Sequence, residues 1–338
     1  IAVEPKHPRD LPKLVEALRR MSIEDPNLVV KINDESGEML VSGMGVLHIE
    51  IATTLLQQAG LDIITTPPLI SYRETIQAKA GPIMSKSPNR HNKIFIRVEP
   101  LTPEVVDLIR TGKINENLDK KEIAKILREK GWETDEARSV VAVDERGNLM
   151  IDDTKGVQFI QESLVSMKAG FTDVMTNGPL AYEFCRGFKI ILHHFVPHED
   201  PAHRTYAQLM PATRRAILGA ALLAKPVLLE PILGSEIKCP SELIGAVAGV
   251  IASKRGKMLN VEQKGVLAII DGEMPASETF DLSEVMRGAT AGKAMWSTFF
   301  KSWSPVPQSV MASVISEIRK RKGLNPDPPK PEEFIDND

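Results

Sequence analysis

Cysteine is nearly missing. Cys185 and Cys239 are the only two in 338 residues, and with no second pair they give neither a disulfide framework nor a zinc site. No apolar run approaches the roughly 18 residues needed to span a bilayer, and Ile1-Ala2-Val3-Glu4-Pro5 lacks a basic-then-apolar leader pattern. The expectation is a soluble, cytoplasmic protein with no membrane partner. An excess of one charge is missing too: 42 Lys+Arg stand against 45 Asp+Glu, for a formal net charge of -3. That argues against a protein coated in nucleic acid and leaves local basic patches open. Self-contained catalytic signatures are absent. Gly288 to Lys293 has the wrong spacing for a phosphate loop and runs into Ala294. There is no Gly-x-Ser-x-Gly elbow and no His-Glu-x-x-His. Ile stands where an initiating Met would, so the chain is expected to be the later part of a longer polypeptide.

What is present reads as an ordinary globular chain, 42% hydrophobic and 26% charged. At roughly 100 to 200 residues per domain its length suggests two or three domains. Residues 1–68 read as strand, helix, two strands, helix, strand. Asp10-Leu11-Pro12 starts a helix whose apolar face is Leu14, Val15, Leu18 and Met21. Asn33-Asp34-Glu35-Ser36-Gly37 is turn chemistry between strands at 28–32 and 38–43. A second helix carries Leu47, Ile51, Leu55 and Leu56, and a last strand ends before Pro67-Pro68. This order is the split βαββαβ unit.

The same order recurs over 226–304, with extended stretches at 227–233 and 235–238, a helix from Pro240-Ser241-Glu242, strands at 257–262 and 266–274, a helix from Asp281 and a strand at 294–300. Between the copies, 69–225 is larger and different. It has strands at 72–79, 93–99 and 188–195, and helices at 103–110, 120–130, 154–176 and 211–224. The predicted fold class is α+β: two ferredoxin-like βαββαβ sandwich domains flanking a larger α+β arm domain. A helix at 305–324 follows, and the Pro-rich acidic stretch 325–338 is expected to be a mobile tail.

Three stretches could carry chemistry. Met84 to Arg97 holds Lys86, Arg90, Lys93 and Arg97 with no Asp or Glu, starting from the turn-forming Ser85-Lys86-Ser87-Pro88-Asn89. Such a loop suits phosphate contact and equally suits a solvated hairpin; both readings stand. Leu192 to Gln208 gathers four of the chain's seven histidines, His193, His194, His198 and His203, beside Glu199 and Asp200. A metal site, a catalytic base, and plain loop and strand histidines are all open on residue types. Ser253-Lys254-Arg255-Gly256-Lys257 is a compact basic turn, and Arg319-Lys320-Arg321-Lys322 suits a helix C-terminus, where cations offset the macrodipole.

Several motifs in one order carry a family resemblance. Asp10-Leu11-Pro12-Lys13-Leu14-Val15-Glu16, Ser36-Gly37-Glu38, Gly43-Met44-Gly45-Val46-Leu47-His48-Ile49-Glu50 and Tyr72-Arg73-Glu74 come first. Ser85-Lys86-Ser87-Pro88-Asn89-Arg90-His91-Asn92, Pro211-Ala212-Thr213-Arg214-Arg215-Ala216 and Lys254-Arg255-Gly256 follow. Together they resemble archaeal and eukaryotic translation elongation factor 2 over nearly the whole chain, from its third to its fifth domain, with an arm of ribosomal-protein-like fold.

The resemblance implies a part of the GTP-dependent translocase that moves transfer RNA and messenger RNA through the ribosome. GTP and magnesium are expected on an N-terminal domain outside this sequence, so this chain alone is expected to hold no catalytic residue, no metal and no cofactor, and to be monomeric. It implies a tip that contacts tRNA and mRNA through Ser85, Lys86, Ser87, Pro88, Asn89, Arg90, His91, Lys93, Asp200 and Arg204. It implies ribosomal RNA contacts at Lys254, Arg255 and Lys257, and a diphthamide at His203 made by the diphthamide-synthesis enzymes. Thr205-Tyr206-Ala207 departs from the Gly-rich family pattern after that histidine. The rival classes are a paralogue or free-standing RNA-binding protein with the same domains, and a hydrolase built on the histidine-rich loop.

Overall fold

The computed structural model describes residues 1–32, 37–43 and 46–336. Residues 33–36 of the expected turn at 33–37, and the Met44-Gly45 step of the glycine motif, lie outside the described residues. The chain divides into two compact units, residues 1–71 with 230–304, and residues 72–229 with 305–338.

In the first unit, residues 1–66 form β1 (Ala2–Pro5), α1 (Leu11–Glu24), β2 (Val29–Ile32), β3 (Met39–Ser42), α2 (Val46–Gln58) and β4 (Ile63–Thr66). The sheet order β2-β3-β1-β4, antiparallel throughout, is that of the split βαββαβ unit. Pro12 sits in the first turn of α1, where its missing N–H is not needed. Leu14 and Leu18, one turn apart, are buried with Val3, Val41 and Leu56.

The second unit is the arm. Its strands are β5 (Arg73–Ile76), β6 (Ala80–Lys86), β7 (Lys93–Pro100), β8 (Val140–Asp144), β9 (Asn148–Asp152), β10 (Phe184–Cys185) and β11 (Phe188–Val196). Its helices to this point are α3 (Pro103–Arg110), α4 (Lys120–Glu129), α5 (Thr134–Arg138), α6 (Ile160–Thr176) and α7 (Tyr206–Leu223). The main sheet runs β6-β7-β11-β9-β8. Alternation along its strands splits the core in two. Ile190 and Leu192 face Phe171, Met167 and Ala216 of α6 and α7. Ile191, with Leu149 and Ile151, faces Ile109, Ile123 and Leu127 of α3 and α4. Each of the larger side chains among these is worth about 1.5 to 3 kcal/mol of burial. Pro226–Leu229, the start of β12 (Pro226–Pro240), pair antiparallel with β5.

In the first unit again, Ile232–Pro240 of β12 pair with β14 (Leu267–Pro275), which pairs with β13 (Lys257–Lys264). With α8 (Ile244–Ser253), α9 (Leu282–Thr290) and β15 (Met295–Pro305), which pairs with β12, this is the second βαββαβ copy. The two extended stretches expected at 227–233 and 235–238 are one strand. Gly234 continues it because a Cβ there would fall 2.6 Å from the Phe299 ring, so the glycine makes room for an aromatic and breaks nothing.

Two helices start elsewhere than their periodicity suggests. α6 begins at Ile160, since Gly156 and Phe159 take left-handed φ values of 67° and 61° just before it. α7 begins at Tyr206 with Thr205 as extended N-cap, so Pro211 lies inside it. α10 (Gln308–Arg321) lies on the arm, where the Arg319 guanidinium donates to Leu180 O at 2.8 Å and Lys322 pairs with Glu183 at 2.7 Å. The stretch after it corrects the expectation of a mobile tail. Residues 331–336 are docked on the arm, with Phe334 packed against its main core and Asp336 bonded to β6. Among the described residues no helix is long and apolar enough to cross a membrane.

Candidate nucleic-acid interface

Strand register brings two distant loops together. Lys86 pairs with Lys93 across the β6–β7 hairpin, and Lys93 pairs with Val196 at the end of β11. The hairpin loop 87–92 and the loop 197–205 therefore leave the same end of the sheet side by side.

The hairpin loop is a tight turn. Arg90 N–H donates to Ser87 O at 2.7 Å across Pro88-Asn89, and Arg90 sits exposed at φ 62°. Asn92, fully buried, is its internal post. Its amide donates to Ser87 Oγ at 3.1 Å and to His203 O at 2.7 Å, and its Oδ1 accepts from His198 N–H at 3.0 Å. Asn89 reaches the same His203 carbonyl at 3.2 Å, and its own N–H donates to Gln208 Oε1 at 2.9 Å. A buried polar cluster satisfied in this way holds one arrangement.

The second loop presents His203 from a short turn, Pro201–His203, capped by Asp200, whose Oδ1 accepts from Ala202 N–H at 2.9 Å. Asp200 N–H donates to His198 Nδ1 at 3.1 Å, which makes that nitrogen an acceptor. His91, His198 and His203 pack ring on ring, with centroids 4.6 to 4.9 Å apart. Among the described residues no three His, Cys, Asp or Glu side chains are placed to hold a metal ion. His193 and His194 stand apart on β11, beside Asp153 and Phe95 respectively, where a bulge interrupts the register.

The expected contact residues separate by exposure. Pro88, Arg90, His91 and Asp200 are exposed, and Lys86, Asn89, Lys93 and His203 are partly so. Ser85, Ser87 and Arg204 are buried, which corrects their assignment as contacts. Ser85 and Ser87 spend their hydroxyls on Asp336, Asn89 and Asn92. The Arg204 guanidinium lies 3.9 Å over the Phe159 ring and within 3.5 Å of Glu162 and of Glu199 O. They hold the tip up from inside.

The basic turn after α8 is likewise drawn into its own unit. Arg255 forks onto Glu230 at 2.9 and 3.0 Å and reaches Glu278 at 2.7 Å. Those hydrogen bonds, Glu230's foremost, raise its pKa above the ordinary guanidinium value. Lys254 bridges both oxygens of Asp281 at 2.6 and 2.7 Å, which lowers the Asp281 pKa. Of the three residues expected to meet ribosomal RNA, Lys257 is exposed and is not part of these pairs.

Sequence reasoning did not single out Glu74, which lies fully buried beneath the segment 178–183. Its carboxylate accepts from the N–H groups of Leu180, Ala181 and Glu183. Burial pushes its pKa up to about 7, against the pull of those three donors. Glu in Tyr72-Arg73-Glu74, on a strand that alternates inward, was the available signal.

Comparison with known proteins agrees with this architecture. Residues 1–67 match the family model described as elongation factor G domain III, 112–225 that of domain IV, and 227–314 that of the elongation factor G C-terminus. Elongation factor 2 of Cenarchaeum symbiosum is 58% identical over 338 residues, and those of Staphylothermus marinus and Metallosphaera sedula are 53% and 50% identical over 337. The match takes in 99 to 100% of this chain and 46% of each relative, so the chain spans about half the length of the curated relatives it matches. A crystal structure from Thermus thermophilus superposes with a TM-score of 0.69 at 25% identity, over 94% of this chain and 42% of that one. The two βαββαβ modules and the arm thus define a protein of the translation elongation factor class. Within it, the chain belongs to the elongation factor 2 family, and its segments are those of the family's third, fourth and C-terminal domains.

Proposed function

We propose that this chain supplies the arm of a GTP-dependent translocase, with the 87–92 and 197–205 loops facing tRNA and mRNA in the decoding site of the ribosome. The observation that supports the reading is the convergence of those loops at one sheet end, with Arg90 exposed at the turn and Lys86 and Lys93 at its base. Lys and Arg neutralise phosphate there without reading sequence. His203, on its capped turn, is the residue that diphthamide-synthesis enzymes convert, adding a cationic group beside the codon and anticodon backbone. GTP and its magnesium belong to the part of the longer protein that this chain does not span, and no residue here is assigned to them. Lys257 and its neighbours contribute a lesser contact with ribosomal RNA.

Replacing Lys86, Arg90 and Lys93 by Glu in the full-length factor is expected to slow single-round translocation at least about tenfold, about 1.4 kcal/mol, with nucleotide binding off the ribosome unchanged. Equal rates would overturn the reading. Intact-mass measurement of the native protein tests the modification, and an unmodified peptide containing His203 would remove that part.

A further inference from the structure

Residues 331–336 touch the arm at the place where the tip hairpin begins. Phe334 packs against the main core, and the segment crosses α7 at Gly219, where a Cβ would lie 3.3 Å from Phe334 Cβ and 3.2 Å from Ile335. Beyond that crossing the chain runs along β6, which is the edge strand of the five-stranded sheet. Asp336 N–H donates to Met84 O at 3.1 Å, and Lys86 N–H donates to the Asp336 carboxylate at 2.8 Å. Ser85 Oγ reaches the same oxygen at 3.4 Å, and Arg215 of α7 stands 3.6 Å from the other. An edge strand ordinarily leaves such groups to solvent and frays. Here Lys86 N–H and the Ser85 hydroxyl, at the end of β6 before the loop, are taken by one carboxylate, and Met84 O by the main-chain N–H of the same Asp336; hydrogen bonds to a charged acceptor are the stronger kind.

We infer that residues 331–336 are a positioning element of the RNA-facing tip, with Asp336 fixing the end of β6 and so the stance of Lys86 and the 87–92 turn. The inference rests on the proposed function only for what the loop touches; the bracing itself is a property of this chain. The acidic character of the segment fits the role. Its carboxylate lies at the base of a basic loop, where it holds the Lys86 N–H and the Ser85 hydroxyl and leaves the exposed Arg90 facing outward.

Amide hydrogen exchange on the 338-residue chain tests it, with D336A as the main variant and a deletion of residues 331–338 as the second. D336A is expected to speed exchange of the Lys86 amide about tenfold, the loss of one charge-assisted hydrogen bond, and to loosen 87–92. The amides of Leu180, Ala181 and Glu183, bound to Glu74, keep their protection and report that the arm remains folded. D336E, which restores a carboxylate, is expected to recover part of the protection. Unchanged exchange over 85–92 in both variants would overturn the inference. In the full-length factor D336A is further expected to slow translocation. The proposed function fails separately, through an unaltered rate in the Lys86, Arg90 and Lys93 charge reversal.

Discussion

The side-chain amide of Asn92 donates to the main-chain oxygen of His203 at 2.7 Å, across 111 residues of sequence. With His198 N–H on its other atom, this one buried side chain ties the basic hairpin to both ends of the histidine turn.

N92D is the sharpest test of that tie. Asp keeps the size and the acceptor for His198 but has no donor for His203 O, and it buries a charge against a carbonyl. Urea unfolding of the chain is expected to show a loss of about 2 kcal/mol or more. Amides at 200–204 should lose protection as well. A variant as stable as the parent would show that the contact is incidental.

Glu74 predicts a pH dependence of definite sign. Its pKa in the folded arm is about 7, above the ordinary Glu value, so between about pH 4.5 and 7 the folded state binds more protons than the unfolded one. Stability from this group is therefore fully present below pH 4.5 and is lost as pH rises through 7. E74Q cannot accept from Leu180, Ala181 and Glu183 with both atoms, and should be less stable at pH 5 by about 2 kcal/mol. The difference between E74Q and the parent should shrink toward pH 8. Urea midpoints of the two proteins at pH 5, 6, 7 and 8 measure it, and a difference that is constant with pH would contradict the assignment.

Arg90 and Arg204 should differ in how salt affects ribosome binding by the full-length factor. Loss of a phosphate contact lowers the slope of log affinity against log salt by about one. R90A is expected to do so. R204A is expected to leave the slope in place and to lower arm stability instead, because its guanidinium is stacked on Phe159. Filter binding across a salt series distinguishes the two, and equal slopes for both variants would refute the division into contact and support.

Much of the fold is legible because it is local. Helical spacing of Leu14 and Leu18 and the strand–turn–strand pattern over 257–274 report the two βαββαβ modules directly. The hairpin β8–β9 is equally written in Val140-Val141-Ala142-Val143 and Leu149-Met150-Ile151 around Gly147, and it is hidden only by the stronger helical periods on either side. The helix starts at Ile160 and Tyr206 are not legible, since they depend on left-handed residues and on a cap that the apolar period ignores. The tail misleads for a different reason. Proline and acid predict that a segment builds no core of its own, and this one borrows a surface made by Gly219 and Ile83.

For the site, residue type identifies the basic loop but not which side chains face out. Ser87 and Arg204 are polar in sequence and interior in space because Asn92 and Phe159 provide their partners, the second of them remote in the chain. Glu230 shows the same limit in another form, for it engages the basic residue Arg255 in a forked ion pair although Arg255 stays exposed.

The bond between Lys86 and Asp336 spans 250 residues, with residues 230–304 of the other unit lying between them in the sequence. At synthesis rates of about 5 to 20 residues per second, the hairpin is made about 10 to 50 seconds before the carboxylate that holds it. Through that interval the arm exists without its last fastening. A nascent chain that has already folded its sheet would still carry an unfinished tip, and completion of the tip would coincide with emergence of residues 331–336.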